Sequence, residues 1–176
     1  MKGSYPDAVK QAIRDRLEYD PSTGVLTWKK GHVKEGQVAG TVGSKGHKMV
    51  GLSANKKGYI LSAARIIWVI CTGDWPGDNL EVDHKDRNPL NNKLENLRLA
   101  TKSQQAQNRR STRRNPYTAE LPRGVCEMNN SFQARIVDPS TKKLLCLGTF
   151  KTPCEAKEKY DAMAKKLYGE FAFGNE

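Results

Sequence analysis

Residues 81–108 read E-V-D-H-K-D-R-N-P-L-N-N-K-L-E-N-L-R-L-A-T-K-S-Q-Q-A-Q-N and bring acidic, imidazole and amide side chains close together in the chain. Leu80 and Val82 predict the start of a short strand, which leads directly into Asp83 and His84. The Asn, Asp and Pro residues that follow are typical of a loop in which side chains cap backbone turns. A carboxylate and an imidazole are therefore expected at the end of a strand, a position that suits catalytic residues.

The second half of this stretch predicts a strand and a helix. Leu97-Arg98-Leu99 alternates apolar and polar residues, as a second short strand would. Thr101, followed three residues later by Gln104, is a capping-box pattern and predicts a helix that begins at Lys102. Strand, loop, strand and helix would form a small unit in which a carboxylate, an imidazole and several amides point into one space.

These side chains suit metal-assisted hydrolysis of a phosphodiester bond. A divalent cation such as Mg²⁺ prefers hard oxygen ligands, and Asp83 supplies a carboxylate. The neutral imidazole of His84 can take a proton from water near pH 7. We expect Asn96 to hold that imidazole in one orientation, while the metal stabilises the charge on the leaving oxygen.

The stretch resembles the HNH motif of phage and intron homing endonucleases, which adopt the ββα-metal fold. The family's first catalytic position is a D-H pair, matched by Asp83 and His84, and its central asparagine, twelve residues after the histidine, is matched by Asn96. The third position, usually Asn or His on the helix, falls nine residues later at Gln105. Gln105 still offers an amide oxygen, from a side chain one methylene longer, and Asn108 lies about one helical turn further along.

The resemblance implies a site-directed DNA endonuclease that hydrolyses a phosphodiester bond with one divalent metal, Mg²⁺ or Mn²⁺. Asp83 would bind the metal together with Gln105 or Asn108. His84 would act as the general base that activates water for attack on phosphorus, and Arg98 would steady the phosphate. The products implied by the resemblance carry a 5′-phosphate and a 3′-hydroxyl.

The charge of the chain points to nucleic acid. Its 176 residues carry a formal net charge of +11, and the pI is about 9.6, so a polyanionic partner is expected. No apolar run approaches the length of a membrane span, and no N-terminal signal segment is recognisable. Double-stranded DNA is the expected partner, bound by a monomer, with no membrane contact and no small-molecule cofactor. The expected location is the cytoplasm, that of a bacterial host if a phage encodes the protein, without secretion.

The cysteines argue against a zinc site. No CxxC pair occurs among them, so no zinc is expected; they are Cys71, Cys126, Cys146 and Cys154. They are predicted to be small buried hydrophobic residues in a reducing compartment. Whether Cys126 and Cys146 face each other across strands is left open by the sequence.

The N-terminal region predicts helices and short strands. Val9, Ile13 and Leu17 recur every four residues and predict a helix over residues 7–19. Turn residues and glycines then separate further elements, with strands expected at 25–29, 38–42, 48–52 and 59–61 and a helix at 63–72. A solvated surface and a phosphate contact stay open as interpretations of the lysines in these turns, which are Lys45, Lys48, Lys56 and Lys57.

A basic segment follows the second strand of the 81–108 stretch. Between Leu97 and Tyr117 there is no acidic residue, and a continued helix would lie along the strand being cut. Phosphate neutralisation is the favoured role for five of its cations, Lys102, Arg109, Arg110, Arg113 and Arg114. Asn115-Pro116 is predicted to end this helix.

The last part of the chain predicts a small sheet with one helix. Strands are expected at 125–128, 132–137 and 144–150. Thr152 as N-cap, Pro153 at the first helical position and Glu155 two residues later are agreeing signals for the start of a helix, and Gly169 would end it.

This part resembles the Apetala-type DNA-binding domain, also called the ethylene-response-factor domain. The motifs that carry the resemblance are R-G-V at 123–125, L-G-T-F at 147–150 and E-A-K-E-K-Y-D-A-M-A at 155–164. Such domains lay a three-stranded sheet in the DNA major groove and pack a helix behind it. The residues expected to contact DNA from the exposed sheet face are Arg123, Gln133 and Arg135.

The expected fold class is α+β. It would combine a small β-rich N-terminal region, a ββα-metal unit and a C-terminal three-stranded antiparallel sheet packed on one helix. The expected boundaries are 1–78 for the N-terminal region, 79–116 for the nuclease unit with its basic helix, and 117–176 for the DNA-binding domain.

Two other functions stay compatible with the sequence. Gln105, and Ala64 where related phage proteins often have a histidine, would suit a DNA-binding regulator that has lost catalysis. An RNA-binding protein is the second alternative, because basic charge alone does not separate RNA from DNA. Competition between duplex DNA and structured RNA at fixed salt would distinguish these partners.

Overall fold

The computed structural model describes residues 5–108 and 121–172 of the chain. The chain divides into two compact units, Met1–Lys102 and Ser103–Glu176. Both units contain α-helix, and small antiparallel sheets accompany it, so the predicted α+β fold class is confirmed. The predicted three-part division, with boundaries at 79 and 117, stays a prediction.

The described part of the chain contains four α-helices, which are α1 (Asp7–Arg16), α2 (Ala63–Thr72), α3 (Lys102–Asn108) and α4 (Pro153–Tyr168). Its ten strands, in chain order, are β1 (Leu17–Asp20), β2 (Val25–Trp28), β3 (Thr41–Val42), β4 (Lys48–Ala54), β5 (Lys57–Ser62), β6 (Leu80–His84), β7 (Leu97–Thr101), β8 (Val125–Met128), β9 (Ser131–Val137) and β10 (Leu144–Phe150). β1 pairs with β2 and β6 with β7, while β3–β4–β5 and β8–β9–β10 form sheets of three strands. Every one of these pairs is antiparallel.

The first unit folds around one apolar core. α1 and α2 pack against each other and against β4. Ile13 of α1, Ile66 and Ile67 of α2 and Val50 of β4 are fully buried in the same cluster. The β6–β7 pair is attached to this cluster through the buried Leu97, so the core fixes the two strands that carry the candidate site.

α2 has the bounds that the sequence predicts. Its apolar residues pack in the core, and it also contacts β6. Gly73 ends the helix in the left-handed region, with a φ of 86°, and its amide donates to the Val69 carbonyl. Glycine adopts this conformation without the clash that a Cβ would cause, which is why the helix stops there.

The predicted helix over residues 7–19 is wrong at its end. α1 stops at Arg16, and the next residues form β1, in which Leu17 lies opposite Trp28 of β2. The four-residue spacing of Val9, Ile13 and Leu17 fits a helix, but Leu17 reaches the core from a strand. Pairing with β2 decides the outcome, and local periodicity contains no information about that pairing.

The second unit contains the predicted sheet of three strands packed on one helix. β9 lies between β8 and β10, and α4 packs on the sheet. Ala134 and Ile136 of β9 are buried with Ala156 and Tyr160 of α4. The predicted start of α4 is confirmed, since the Thr152 side chain and Glu155 form a complete capping box with Pro in the first turn.

Gly124 lies where the chain enters β8 and comes very close to α4. It has a φ of +74°, and a Cβ at this position would lie 2.0 Å from Cδ2 of Tyr160. No side chain fits in that space, and the left-handed conformation also favours glycine. Gly124 therefore allows the R-G-V segment to run directly against the helix.

The cysteine prediction is wrong in one respect. All four cysteines, Cys71, Cys126, Cys146 and Cys154, are free and exposed rather than buried. Cys126 and Cys146 lie opposite Gln133 and Arg135 in the sheet register, on the face that α4 does not cover.

Among the described residues, no helix combines the length and the apolar character needed to cross a membrane.

Candidate active site

The β6–β7 register brings the predicted acidic residue and a predicted cation together. Asp83 lies opposite Arg98, and His84 lies opposite Leu97. Both Nε and Nη2 of Arg98 donate to Oδ2 of Asp83, each over 3.1 Å. The side chain of Arg98 is 7% exposed and that of Asp83 is 17% exposed, so most of this ion pair is removed from water.

The contact revises the role predicted for Arg98. A steadying contact with a phosphate requires a guanidinium that faces the substrate, whereas the guanidinium of Arg98 is buried against Asp83. Because cross-strand neighbours lie close together, an Arg opposite an Asp pairs with it before it reaches solvent. Arg98 therefore holds the carboxylate of Asp83 in place.

His84 is 5% exposed, and Asn92 fixes its orientation. Nε2 of His84 lies 3.0 Å from Oδ1 of Asn92, and Nδ2 of Asn92 donates to the Leu90 carbonyl over 3.2 Å. The bond to Leu90 identifies which end of the Asn92 amide is nitrogen, so the atom that faces His84 is an oxygen and can only accept. Nε2 of His84 therefore faces an acceptor and donates to it.

Asn96 does not make the contact that the sequence predicts. Its Nδ2 donates to Oδ1 of Asp86 over 2.9 Å and to the Asn91 carbonyl over 2.8 Å, and its Oδ1 accepts from the Asp86 amide over 3.1 Å. These bonds close the connection between β6 and β7. Asn96 therefore orders the loop, and Asn92 within that loop binds the imidazole.

Asp86 is the centre of the hydrogen bonds in this loop. Partial desolvation by itself would raise the pKa of its carboxyl group. Hydrogen bonds from the Asn91 side chain, the Asn88 amide and the Asn96 side chain outweigh that effect, together with the positive potential of His84, and lower the pKa. The carboxylate form is thus stabilised, and the loop keeps these bonds at neutral pH.

The β1–β2 hairpin supports the same loop from the N-terminal region. The Leu94 amide donates to the hydroxyl group of Tyr19 over 2.9 Å. Gly24, with a φ of +75°, lies so close to the loop that a Cβ would be 2.7 Å from the Lys93 nitrogen. The backbone next to Asn92 is therefore held by a contact that only glycine permits.

A second imidazole lies beside the first. His47, in the turn between β3 and β4, has its ring centroid 5.8 Å from that of His84, with an angle of 40° between the planes. Neither His47 nor Asn92 was among the predicted site residues. Asn92 belongs to a run of loop asparagines that is typical of turns, and the sequence around His47 contains no signal that links it to His84.

The predicted metal ligands come from both units. Asp83 lies in the first unit, and Gln105 and Asn108 belong to α3 within the second. Their convergence on one cation stays a prediction. Within residues 5–108 and 121–172, no three His, Cys, Asp or Glu side chains cluster as a metal site built from those residues would require.

The structure describes only some of the predicted DNA contacts. Lys102 is exposed at the start of α3, whereas Arg109, Arg110, Arg113 and Arg114 lie outside the described residues. Gln133 and Arg135 lie side by side on the sheet face opposite the buried Ala134 and Ile136, and Nε of Arg135 donates to Oε1 of Gln133.

Arg123 does not lie on the exposed sheet face, where the sequence predicts it. It precedes β8, and its guanidinium donates to the Gln107 carbonyl over 2.7 Å and to the Ala106 carbonyl over 3.3 Å. Carbonyls near the end of a helix need partners from outside the helix, and an Arg supplies them well. Arg123 therefore binds α3 rather than standing on the exposed face of the sheet.

The neighbouring Asn91 and Asn92 give a direct test of the geometry around the imidazole. We expect Asn92→Ala to lower the free energy of unfolding of the first unit by about 1–3 kcal/mol, because a buried imidazole N–H and the Leu90 carbonyl both lose a partner. The ¹⁵N ring signals of His84 should shift towards a mixture of tautomers. Asn91→Ala, which removes a bond to Asp86 instead, should leave those ring signals unchanged. Unchanged signals in Asn92→Ala would show that Asn92 does not set the tautomer.

Comparison with known proteins identifies relatives of part of this chain. An uncharacterized HNH endonuclease of Acanthamoeba polyphaga mimivirus is 36% identical over 112 residues, which cover 63% of this chain and 54% of the relative. The chain thus spans about half the length of that relative. A solved structure, described as DNA binding and cleavage by the HNH homing endonuclease I-HmuI, is similar over 87% of this chain and 85% of the other. The TM-score of this comparison is 0.42, and the sequence identity is 19%.

The family match falls on the segment that contains the candidate site. Residues 62–107 match a family model described as HNH endonuclease. The matched segment includes β6, β7 and the loop between them, with Asp83, His84, Asn92 and Arg98. Residues 62–107, which contain the candidate site, are thus the part of this chain that is similar to the HNH endonuclease family model.

Proposed function

We propose that this protein is a site-directed DNA endonuclease of the homing type that hydrolyses one phosphodiester bond with a divalent metal and a histidine base. The observation that carries the proposal is the state of His84 in the HNH segment. Its imidazole is buried, Asn92 binds its Nε2, and Asp83 precedes it at the end of β6. An imidazole that is held in one orientation next to a carboxylate suits a general base that takes a proton from water near pH 7.

The residues of the chain have separate tasks in this reaction. The imidazole of His84 takes the proton from the attacking water, and Asn92 holds the ring through its Nε2. Arg98 holds Asp83, whose carboxylate is the hard oxygen ligand that Mg²⁺ or Mn²⁺ prefers, and Gln105 or Asn108 would add an amide oxygen. The donor chemistry therefore fits such a cation, which when bound stabilises negative charge on the leaving oxygen. Products with a 5′-phosphate and a 3′-hydroxyl are expected.

DNA would be held by the basic α3 segment and the C-terminal unit, which we propose to be an Apetala-type domain. Lys102 and the arginines that follow α3 in the sequence would neutralise phosphates, and Gln133 and Arg135 would face the groove. Arg123 ties α3 to the start of the C-terminal sheet, so a sheet seated on DNA would also fix the helix that bears Gln105. A monomer would suffice for this arrangement.

A cleavage assay tests the proposal directly. The substrate is a supercoiled plasmid that carries the DNA flanking the protein's own gene, incubated with the full chain and Mg²⁺ or Mn²⁺. We expect nicked or linear product that disappears when EDTA removes the metal. Ligation of the product ends without phosphorylation would identify the 5′-phosphate. Tight binding without metal-dependent cleavage of this plasmid or of a genomic library would contradict the proposal.

One observation favours a second function, a DNA-binding regulator without catalysis. Oδ2 of Asp83 already accepts two hydrogen bonds from Arg98, a cation that competes with a metal for the carboxylate, and Gln105 stands where the family has Asn or His. The same plasmid assay separates the two functions, because a regulator binds the DNA and leaves it intact.

Structured RNA added as a competitor at fixed salt would identify an RNA-binding protein by displacing the duplex at equal nucleotide concentration.

A further inference from the structure

The turn between β3 and β4 places an exposed imidazole against the buried one. The ring centroids of His47 and His84 are 5.8 Å apart, a separation at which aromatic rings are in contact. His84 is 5% exposed, whereas His47 is exposed. His47 therefore forms part of the outer wall of the pocket that holds the proposed general base.

This turn is well ordered by its own backbone. The Gly43 amide donates to the His47 carbonyl over 2.9 Å, and the Gly46 amide donates to the Gly43 carbonyl over 2.9 Å. Gly46 has a φ of +79°, and a Cβ at this residue would lie 3.4 Å from Cγ of Pro89 in the β6–β7 loop. The turn that bears His47 thus contacts the loop that bears Asn92.

We propose that His47 is a positioning residue for His84, a role that rests on the proposed nuclease function. Asn92 binds Nε2 of His84 and so holds one edge of the ring. The ring of His47 packs against the same imidazole, and this contact limits how far the ring of His84 can turn. Small misplacements of a reacting group are costly, so a fixed direction matters for the rate.

The electrostatics favour a packing role over a phosphate contact. Partial desolvation, followed by the positive potentials of His84 and Lys45, lowers the pKa of His47 below its ordinary value. The lowered pKa disfavours the charged form of His47, which is the form that would attract a phosphate. A neutral ring is well suited to stack beside another ring.

The test compares three variants of the full chain. His47→Ala removes the ring contact, His47→Phe keeps a ring without nitrogen atoms, and His32→Ala is the matched control, since His32 stacks on Trp28 with centroids 4.1 Å apart. On the DNA that the unaltered protein cleaves, we expect His47→Ala to lower kcat about tenfold with an unchanged KM and Tm. His47→Phe should recover most of that loss, and His32→Ala should cleave normally. An unchanged kcat in His47→Ala, or a raised KM that His47→Phe does not rescue, would overturn the proposal.

A second measurement does not depend on cleavage. The chain has three histidines, so the ring signals of His84 in protein labelled with ¹³C and ¹⁵N on histidine can be assigned by substitution. His47→Ala should shift and broaden the His84 ring signals, and His32→Ala should leave them in place. Unchanged His84 signals in His47→Ala overturn the positioning role whether or not the protein cuts DNA. Shifted signals in a protein that cuts no DNA would support the contact and refute the nuclease function.

Discussion

We expect His84→Ala to lower the rate of DNA cleavage by about 10²–10⁴-fold, the contribution typical of a positioned general base. The loss should be this large because alanine has no imidazole at the position where Asn92 holds the ring of His84. Binding of the uncut DNA should persist, since the phosphate contacts proposed for this protein come from Lys102 and the later basic residues. Cleavage and gel-shift assays on the same DNA measure the two properties separately.

His84→Gln separates chemistry from folding. Alanine leaves Oδ1 of Asn92 without a donor in a buried site, which costs about 1–3 kcal/mol and could lower activity through partial unfolding. Glutamine keeps an N–H group that can reach Asn92, but its amide does not accept a proton near neutral pH. We therefore expect His84→Gln to be as stable as the unaltered protein and as inactive as His84→Ala. Cleavage at the normal rate by either variant would exclude His84 as the base.

Elements whose signals are local could be predicted from the sequence. α2 and α4 begin and end as predicted because their caps and stops, Thr152 and Glu155 at one start and Gly73 at one end, act within a single turn of helix. Leu17 shows the limit of this reasoning. Its spacing from Ile13 fits a helix equally well, and only the pairing with Trp28, remote in the sequence, makes it a strand residue.

The residues of the candidate site likewise fall into those that the sequence predicts and those that only the fold brings together. Asp83 and His84 were predicted because a strand end followed by an Asn-rich loop is visible in consecutive residues. The partners that orient them were not, since Asn92, His47 and Arg98 reach them through loop closure, a separate hairpin and cross-strand register. Arg123 was expected on the exposed sheet face because it matches a DNA-contacting position of the Apetala-type domain, whereas its guanidinium binds carbonyls of α3.

The Asp83–Arg98 pair leads to the second large effect. We expect Arg98→Met to lower the free energy of unfolding of the first unit by about 3 kcal/mol, because it removes the guanidinium that pairs with a largely buried carboxylate. Methionine keeps much of the apolar length of arginine, so the loss reports charge more than volume. All three tryptophans, Trp28, Trp68 and Trp75, belong to the first unit, so urea unfolding followed by tryptophan fluorescence reports on that unit alone. Arg14→Met, at an exposed position in the same unit, should change stability by less than about 0.5 kcal/mol.

A double variant separates stability from chemistry at this pair. Asp83→Asn combined with Arg98→Met removes both charges of the ion pair, so the double variant should recover more than half of the stability that Arg98→Met loses. It should still cut no DNA, because the carboxylate that would bind the metal is gone. If Arg98→Met were as stable as Arg14→Met, the pair would be too well solvated to matter, and Arg98 would be free to turn towards the phosphate. If the double variant were no more stable than Arg98→Met, the loss would come from packing, and holding Asp83 would not be the role of Arg98.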